Sequence, residues 1–97
     1  MTGKVRLGFL GVGWIGRHRM KKMLETGVVE AAAIADPSAE MRAEAVVFAP
    51  DAAVVDTVDE LLAQDLEGLV IATPSAQHAE QSIAALERGM AVFCQKP

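Results

Sequence analysis

Leu7-Gly8-Phe9-Leu10-Gly11-Val12-Gly13-Trp14-Ile15-Gly16 is the stretch that decides the fold. Val5 to Leu10 reads as a buried strand that passes straight into a glycine turn and then into a helix. Gly11, Gly13 and Gly16 give G-x-G-x-x-G. The first glycine serves a tight turn and the second lets backbone approach a pyrophosphate. The third allows helix and strand to pack closely. An anion set against such a turn meets unpaired helix N–H groups and the positive end of the helix dipole. Glycines at this spacing also occur in ordinary strand-to-helix turns, so the motif gains its weight from an acid downstream and a continuing alternation of strand and helix.

Working outward, residues 14 to 25 read as a helix with Ile15, Met20, Met23 and Leu24 on a buried face. Arg17, Arg19, Lys21, Lys22 and Glu25 face water, and His18 reads as a surface residue. Gly27 stands in the helix-stop position. Val28 to Ala35, broken only by Glu30, has the near-continuous apolar character of a strand inside a parallel sheet. It ends in Asp36-Pro37-Ser38, with Asp36 lying 20 positions beyond Gly16 (36 − 16). At this offset a dinucleotide-binding fold places an acid against the adenosine ribose hydroxyls. Asp36 also fits a helix N-cap with Pro37 in the first turn. The ribose role is the stronger reading, because strand, turn and spacing agree on it.

A second helix is expected over residues 38 to 48, with Met41, Ala45 and Phe48 inward and Glu40, Arg42 and Glu44 outward. A short strand comes next at Ala53 to Val55. Thr57 and Glu60 then form a capping box for a helix to about Gln64. Gly68 to Ala72 makes a fourth strand, and Thr73-Pro74-Ser75 lies at its carboxyl end, where open α/β sheets bind ligands. Ser75 reads as the N-cap of a helix over 76 to 88 that turns Ala79, Ile83 and Leu86 to the core. Gly89 stops it, and Ala91 to Cys94 make a fifth strand, with Cys94 a small core residue. The order βαβαβαβαβ calls for crossover connections and a doubly wound parallel sheet of five strands.

Composition narrows the function. The 97 residues suit one domain over 1–97, and 52% hydrophobic with 4% aromatic residues describes an aliphatic, alanine-rich interior. A net charge of −4 argues against nucleic acid, whose phosphates need a basic surface. One cysteine and two histidines offer neither an internal disulfide nor a zinc-site spacing, so no metal is expected. No apolar run reaches membrane-spanning length and no signal-peptide core precedes the first strand, which makes a soluble cytoplasmic protein the default.

Taken together, Val5 to Gly16, Ile34-Ala35-Asp36, Ala72-Thr73-Pro74-Ser75-Ala76-Gln77-His78 and Ala85 to Pro97 resemble the N-terminal domain of the Gfo/Idh/MocA oxidoreductases. The resemblance spans the chain, and it implies a Rossmann-type fold that binds a nicotinamide dinucleotide. It also implies hydride transfer to or from a hydroxyl carbon of sugars, inositols or related polyols. By that likeness Gly11, Gly13, Trp14, Ile15 and Gly16 belong to the pyrophosphate loop, and Asp36 takes the ribose. Thr73, Pro74 and His78 lie near the nicotinamide half. Lys96 matches the lysine of the family's E-K-P motif, whose ammonium polarises the reacting oxygen. Gln95 departs from the family's glutamate and removes a charge beside Lys96. The family's second domain, with its substrate pocket and acid–base residues, has no counterpart in these residues, so a truncated form is expected, binding cofactor without turnover.

Asp36 makes NAD the expected cofactor over NADP, since its charge repels a 2′-phosphate and no arginine directly succeeds it, although Arg42 is close enough in sequence to swing in. A freestanding dinucleotide-binding regulatory module is the alternative to an enzyme. S-adenosylmethionine is a weaker ligand reading, because it lacks the pyrophosphate that the full glycine motif serves. Self-association into a homo-oligomer is expected through the apolar last strand, left as an edge.

Overall fold

A computed structural model of the chain describes residues 4–73 and 75–94. Its elements are β1 (Val5–Leu10), α1 (Trp14–Leu24), β2 (Val29–Ala35), α2 (Ala39–Val46) and β3 (Ala53–Val55). They continue as α3 (Val58–Leu62), β4 (Gly68–Ile71), α4 (Ser75–Glu87) and β5 (Ala91–Cys94). The five strands form one parallel sheet in the order β3-β2-β1-β4-β5. The expected α/β fold, a doubly wound parallel sheet of Rossmann type, is therefore the one observed. The chain starts at the centre, winds outward to β3, then crosses back to lay β4 beside β1. That reversal between β1 and β4 opens a crevice at the carboxyl ends of the strands, where sheets of this kind bind ligands.

Side-chain alternation along the strands builds a core on each face of the sheet. On one side Leu7, Phe9, Ile34 and Val70 pack with Met20 of α1 and Ala45 of α2. On the other, Leu10, Ala33, Ala35, Leu69 and Ile71 pack with Leu61 and Leu62 of α3 and Ala85 of α4. Strict alternation would send Ala31 and Ala33 to the same face, yet they lie in opposite cores. The β1–β2 register explains this: Leu7 pairs with Ala31 and Gly8 with Ala33, so Ala32 is an extra residue. Such a bulge re-aims the side chains beyond it. It delivers the strand end, and Asp36 with it, to the crevice.

Several inward assignments made from periodicity are corrected. Ile15 is exposed, because the close contact of α1 with the sheet runs through Gly16 and Met20, one residue around the helix. Phe48 lies beyond the last turn of α2 and is 42% exposed, its ring 5.6 Å from the Lys21 ammonium. Ile83 and Leu86 of α4 are 56% and 59% exposed and Ala79 is exposed, while Gln81 and Ala85 are buried. The small Ala85 permits close approach, and Gln81 finds polar partners inside. Ser75 is the first residue of α4 rather than its N-cap. Cys94 sits exposed on the edge strand, its Sγ 3.2 Å from the Ser82 hydroxyl. Arg17 and Arg42, read as facing water, are half-buried; Arg17 pairs with Glu44 at 3.1 Å.

Candidate dinucleotide site

The glycine turn behaves as three different residues. Gly11 has φ +88°, a left-handed conformation that favours glycine, and its N–H donates to the Ala35 carbonyl. A Cβ there would lie 2.8 Å from the Ala72 carbonyl oxygen. Gly16 faces the Gly11 carbonyl oxygen so closely that a Cβ would collide with it, and Ala72 closes the other side at 3.1 Å. Gly13 is the opposite case: a Cβ there would meet no atom within 4 Å. It is the N-cap of α1, with no side chain capping that helix end and no acid in its first turn. The Arg17 N–H donates to the Gly13 carbonyl, so the N–H groups of Trp14, Ile15 and Gly16 precede the first helical bond. An uncapped helix end beside an open glycine presents free N–H groups of the kind that bind anions.

Asp36 leaves the end of β2 toward this turn. One carboxylate oxygen accepts from the Val12 N–H and the other from the Ser38 N–H, each at 2.9 Å. The carboxylate thus ties the glycine loop to the strand exit. A carboxylate has about four acceptor positions, so two bonds leave capacity for a ligand hydroxyl. The N-cap of α2 is Ser38, not Asp36; its hydroxyl accepts from the Met41 N–H at 3.3 Å.

These parts border a cleft of about 530 Å³. Gly11, Gly13, Asp36 and Thr73 line it together, with Asp56, Thr57 and Val58 from the β3 exit. Gln77 and Gln81 of α4 complete the wall. The Thr73 hydroxyl donates to the Gln81 side-chain oxygen at 2.5 Å, and the Gln81 amide donates to the Gln77 side-chain oxygen at 3.1 Å. Gln81 is 6% exposed, and this chain of bonds is what makes its burial tolerable. Sequence reasoning missed both glutamines. Their signal was the spacing of four from Thr73 to Gln77 to Gln81.

Trp14 and His78 are not part of that wall. Trp14 is 71% exposed and stacks on His18, ring centroids 5.7 Å apart. The His78 Nε2 donates to the Thr73 carbonyl at 2.5 Å, which turns the ring back onto its own strand exit. Pro74, Gln95 and Lys96 lie outside the described residues. Among the described residues no three His, Cys, Asp or Glu side chains gather as a metal site would need.

A doubly wound sheet with a glycine turn, an uncapped helix and an acid at its switch point is a dinucleotide-binding domain. The chain belongs to the Gfo/Idh/MocA family: residues 5–97 match its profile, described as an oxidoreductase family with an NAD-binding Rossmann fold. It is 32% identical over 95 residues to the rhizopine catabolism protein MocA of Rhizobium meliloti, covering 97% of this chain and 29% of MocA. Myo-inositol dehydrogenase from Corynebacterium glutamicum superposes with a TM-score of 0.87 at 30% identity, over 97% of this chain and 28% of that one. The WlbA dehydrogenase from Bordetella pertussis, solved with NADH and UDP-GlcNAcA, gives 0.85 at 29% identity, over 97% of this chain and 29% of that one. The chain therefore spans under a third of the length of these relatives.

Proposed function

We propose that the cleft holds NAD and that the chain is the cofactor half of an oxidoreductase acting on hydroxyl groups of inositols, sugars or related polyols. The observation that carries this reading is the pairing of an open Gly13 with an uncapped α1 terminus next to Asp36. The free N–H groups of Trp14, Ile15 and Gly16 would bind the pyrophosphate through backbone alone, which leaves the Trp14 and Ile15 side chains free to stay exposed. Asp36 would accept from the adenosine ribose hydroxyls. Thr73, Pro74 and His78 would border the nicotinamide half, with His78 acting through the Thr73 carbonyl it holds. Lys96 would orient the substrate hydroxyl and polarise its oxygen. When bound, NAD supplies the hydride acceptor; the protein supplies position.

The polyol class rests on the relatives' own names, a rhizopine catabolism protein and a myo-inositol dehydrogenase. Binding without turnover is the expectation for these 97 residues alone. Holding a hydroxyl carbon against the nicotinamide needs a facing surface, and such positioning lowers a barrier by roughly 7–11 kcal/mol. Calorimetric titration with NAD, beside an assay for NADH formation with myo-inositol and other polyols, tests both parts. Saturable NAD binding without NADH is expected. NADH formation would overturn the no-turnover part, and absence of NAD binding would overturn the site itself.

A further inference from the structure

We propose that Gln81 is a positioning residue for the nicotinamide half of the dinucleotide: it takes the Thr73 hydroxyl proton and so presents Thr73 to the cleft as an acceptor. The proposal rests on the reading of the cleft as a dinucleotide site and names what fixes its α4 wall. Gln81 lies in the second turn of α4 and is 6% exposed. Ala85, one turn on, is fully buried in the apolar core, so apolar packing is what this face of the helix otherwise does. An amide buried there costs free energy unless its polar atoms find partners. Among the described residues, both partners of the Gln81 side chain line the cleft. A glutamine that served packing alone would have no reason to join two cleft residues to each other.

Thr73 is held at both ends from one side of α4. The His78 Nε2 donates to its carbonyl and Gln81 accepts from its hydroxyl, each at 2.5 Å. Residues three apart on a helix are neighbours, so the two bonds grip Thr73 together. A threonine hydroxyl has one proton and two lone pairs. With the proton given to Gln81, acceptance is what remains for a ligand. The Gln77 side-chain oxygen accepts from the Gln81 amide at 3.1 Å, which sets the amide nitrogen toward Gln77 and its oxygen toward Thr73. The chemistry that such a wall recognises is an O–H or N–H donor. The nicotinamide half of NAD carries two kinds, the ribose hydroxyls and the carboxamide N–H groups, whereas ADP ends at the pyrophosphate. Because the acceptor is fixed before a ligand arrives, little side-chain freedom is lost on binding.

The test is calorimetric titration of NAD, ADP-ribose and ADP into the unaltered chain, Gln81→Met, Gln81→Glu and the double variant Thr73→Val/Gln81→Met. Methionine is unbranched like glutamine and removes the amide acceptor. Gln81→Met should weaken NAD binding by about twofold to tenfold, the range of one neutral hydrogen bond, and leave ADP binding unchanged. Gln81→Glu restores a side-chain oxygen and should return the NAD-to-ADP affinity ratio to that of the unaltered chain. The double variant replaces both partners by apolar groups, which a fold tolerates better than one orphaned partner. It should show at least the loss of Gln81→Met for NAD and none for ADP, and it is read in place of Gln81→Met should that variant fail to fold. ADP-ribose locates the donor: a loss shared by ADP-ribose assigns it to the ribose hydroxyls, and a loss confined to NAD assigns it to the carboxamide. Equal losses for NAD and ADP would make Gln81 a structural residue and overturn the proposal. So would unchanged NAD binding in the methionine variants, or a Gln81→Glu protein with the ratio of Gln81→Met, while the unaltered chain binds NAD and the dinucleotide reading stands. If the unaltered chain binds neither NAD nor ADP, the site reading falls and this proposal falls with it.

Discussion

Two glycines three residues apart do unlike work, and the difference is measurable. Gly16 is where α1 touches the β1 exit, with backbone oxygen on one side and Ala72 on the other. A backbone atom cannot step aside as a flexible side chain can. Gly16→Val is therefore expected to cost at least about 3 kcal/mol, the upper range for overpacking, or to prevent folding. Gly13 has an extended backbone, φ −64° and ψ −172°, that any residue adopts, and open space where a side chain would go. Gly13→Val is expected to change stability by no more than about 1 kcal/mol, the cost of a poor N-cap, while NAD binding is lost. Urea denaturation and calorimetry on the same two proteins separate the cases. A Gly13→Val protein that still binds NAD, or that unfolds outright, would return this glycine to a structural role.

At the scale of elements, legibility depended on how much the local sequence decides. The glycine turn, the Asp36 offset and the three-residue β3 were readable, since turns and spacing are local properties. The capping box at α3 was readable for the same reason: the Thr57 hydroxyl accepts from the Glu60 N–H and donates to the Glu60 carboxylate. The phase of α4 was not. Ala79, Ile83 and Leu86 form a proper helical stripe, but Gln81 and Ala85 win the inner face through tertiary contacts that spacing cannot show. The extra residue at Ala32 was hidden by the run of three alanines, whose side chains carry no in-or-out signal. Of the candidate cleft's lining, Gly11, Gly13 and Asp36 were legible, whereas the glutamine wall depends on where α4 comes to lie. Ile83→Ser and Leu86→Ser are each expected to stay within about 0.5 kcal/mol, as exposed substitutions do. Ala85→Leu, by overfilling a site with no exposed surface, is expected to cost about 1–3 kcal/mol. A urea midpoint that falls sharply for the serine variants would restore the stripe to the core.

For the whole molecule, the sheet's two edges are unequal. β3 is three residues long and offers little backbone for pairing. β5 is four residues of apolar side chains, Ala91-Val92-Phe93-Cys94, and only one of its faces is served by α4. Val92 packs into the α4 core and Cys94 meets Ser82, so both belong to that face. Phe93 points the other way, its ring beside Gly68, and remains 51% exposed. An edge strand with unpaired N–H and C=O groups and an exposed aromatic residue invites pairing with another chain. We expect these 97 residues to self-associate as concentration rises, seen as an increasing sedimentation coefficient. Phe93→Lys should suppress this, because a lysine on an edge strand strands its charge when a second sheet pairs there. The substitution brings the net charge from −4 toward zero, which by itself would promote association. A loss of association against that trend would therefore locate the contact at β5. Since Phe93 is half-exposed, the variant should keep its fold and its NAD binding. A chain that sediments as a monomer at high concentration before any substitution, or a Phe93→Lys variant that associates as strongly, would remove β5 as the surface of contact.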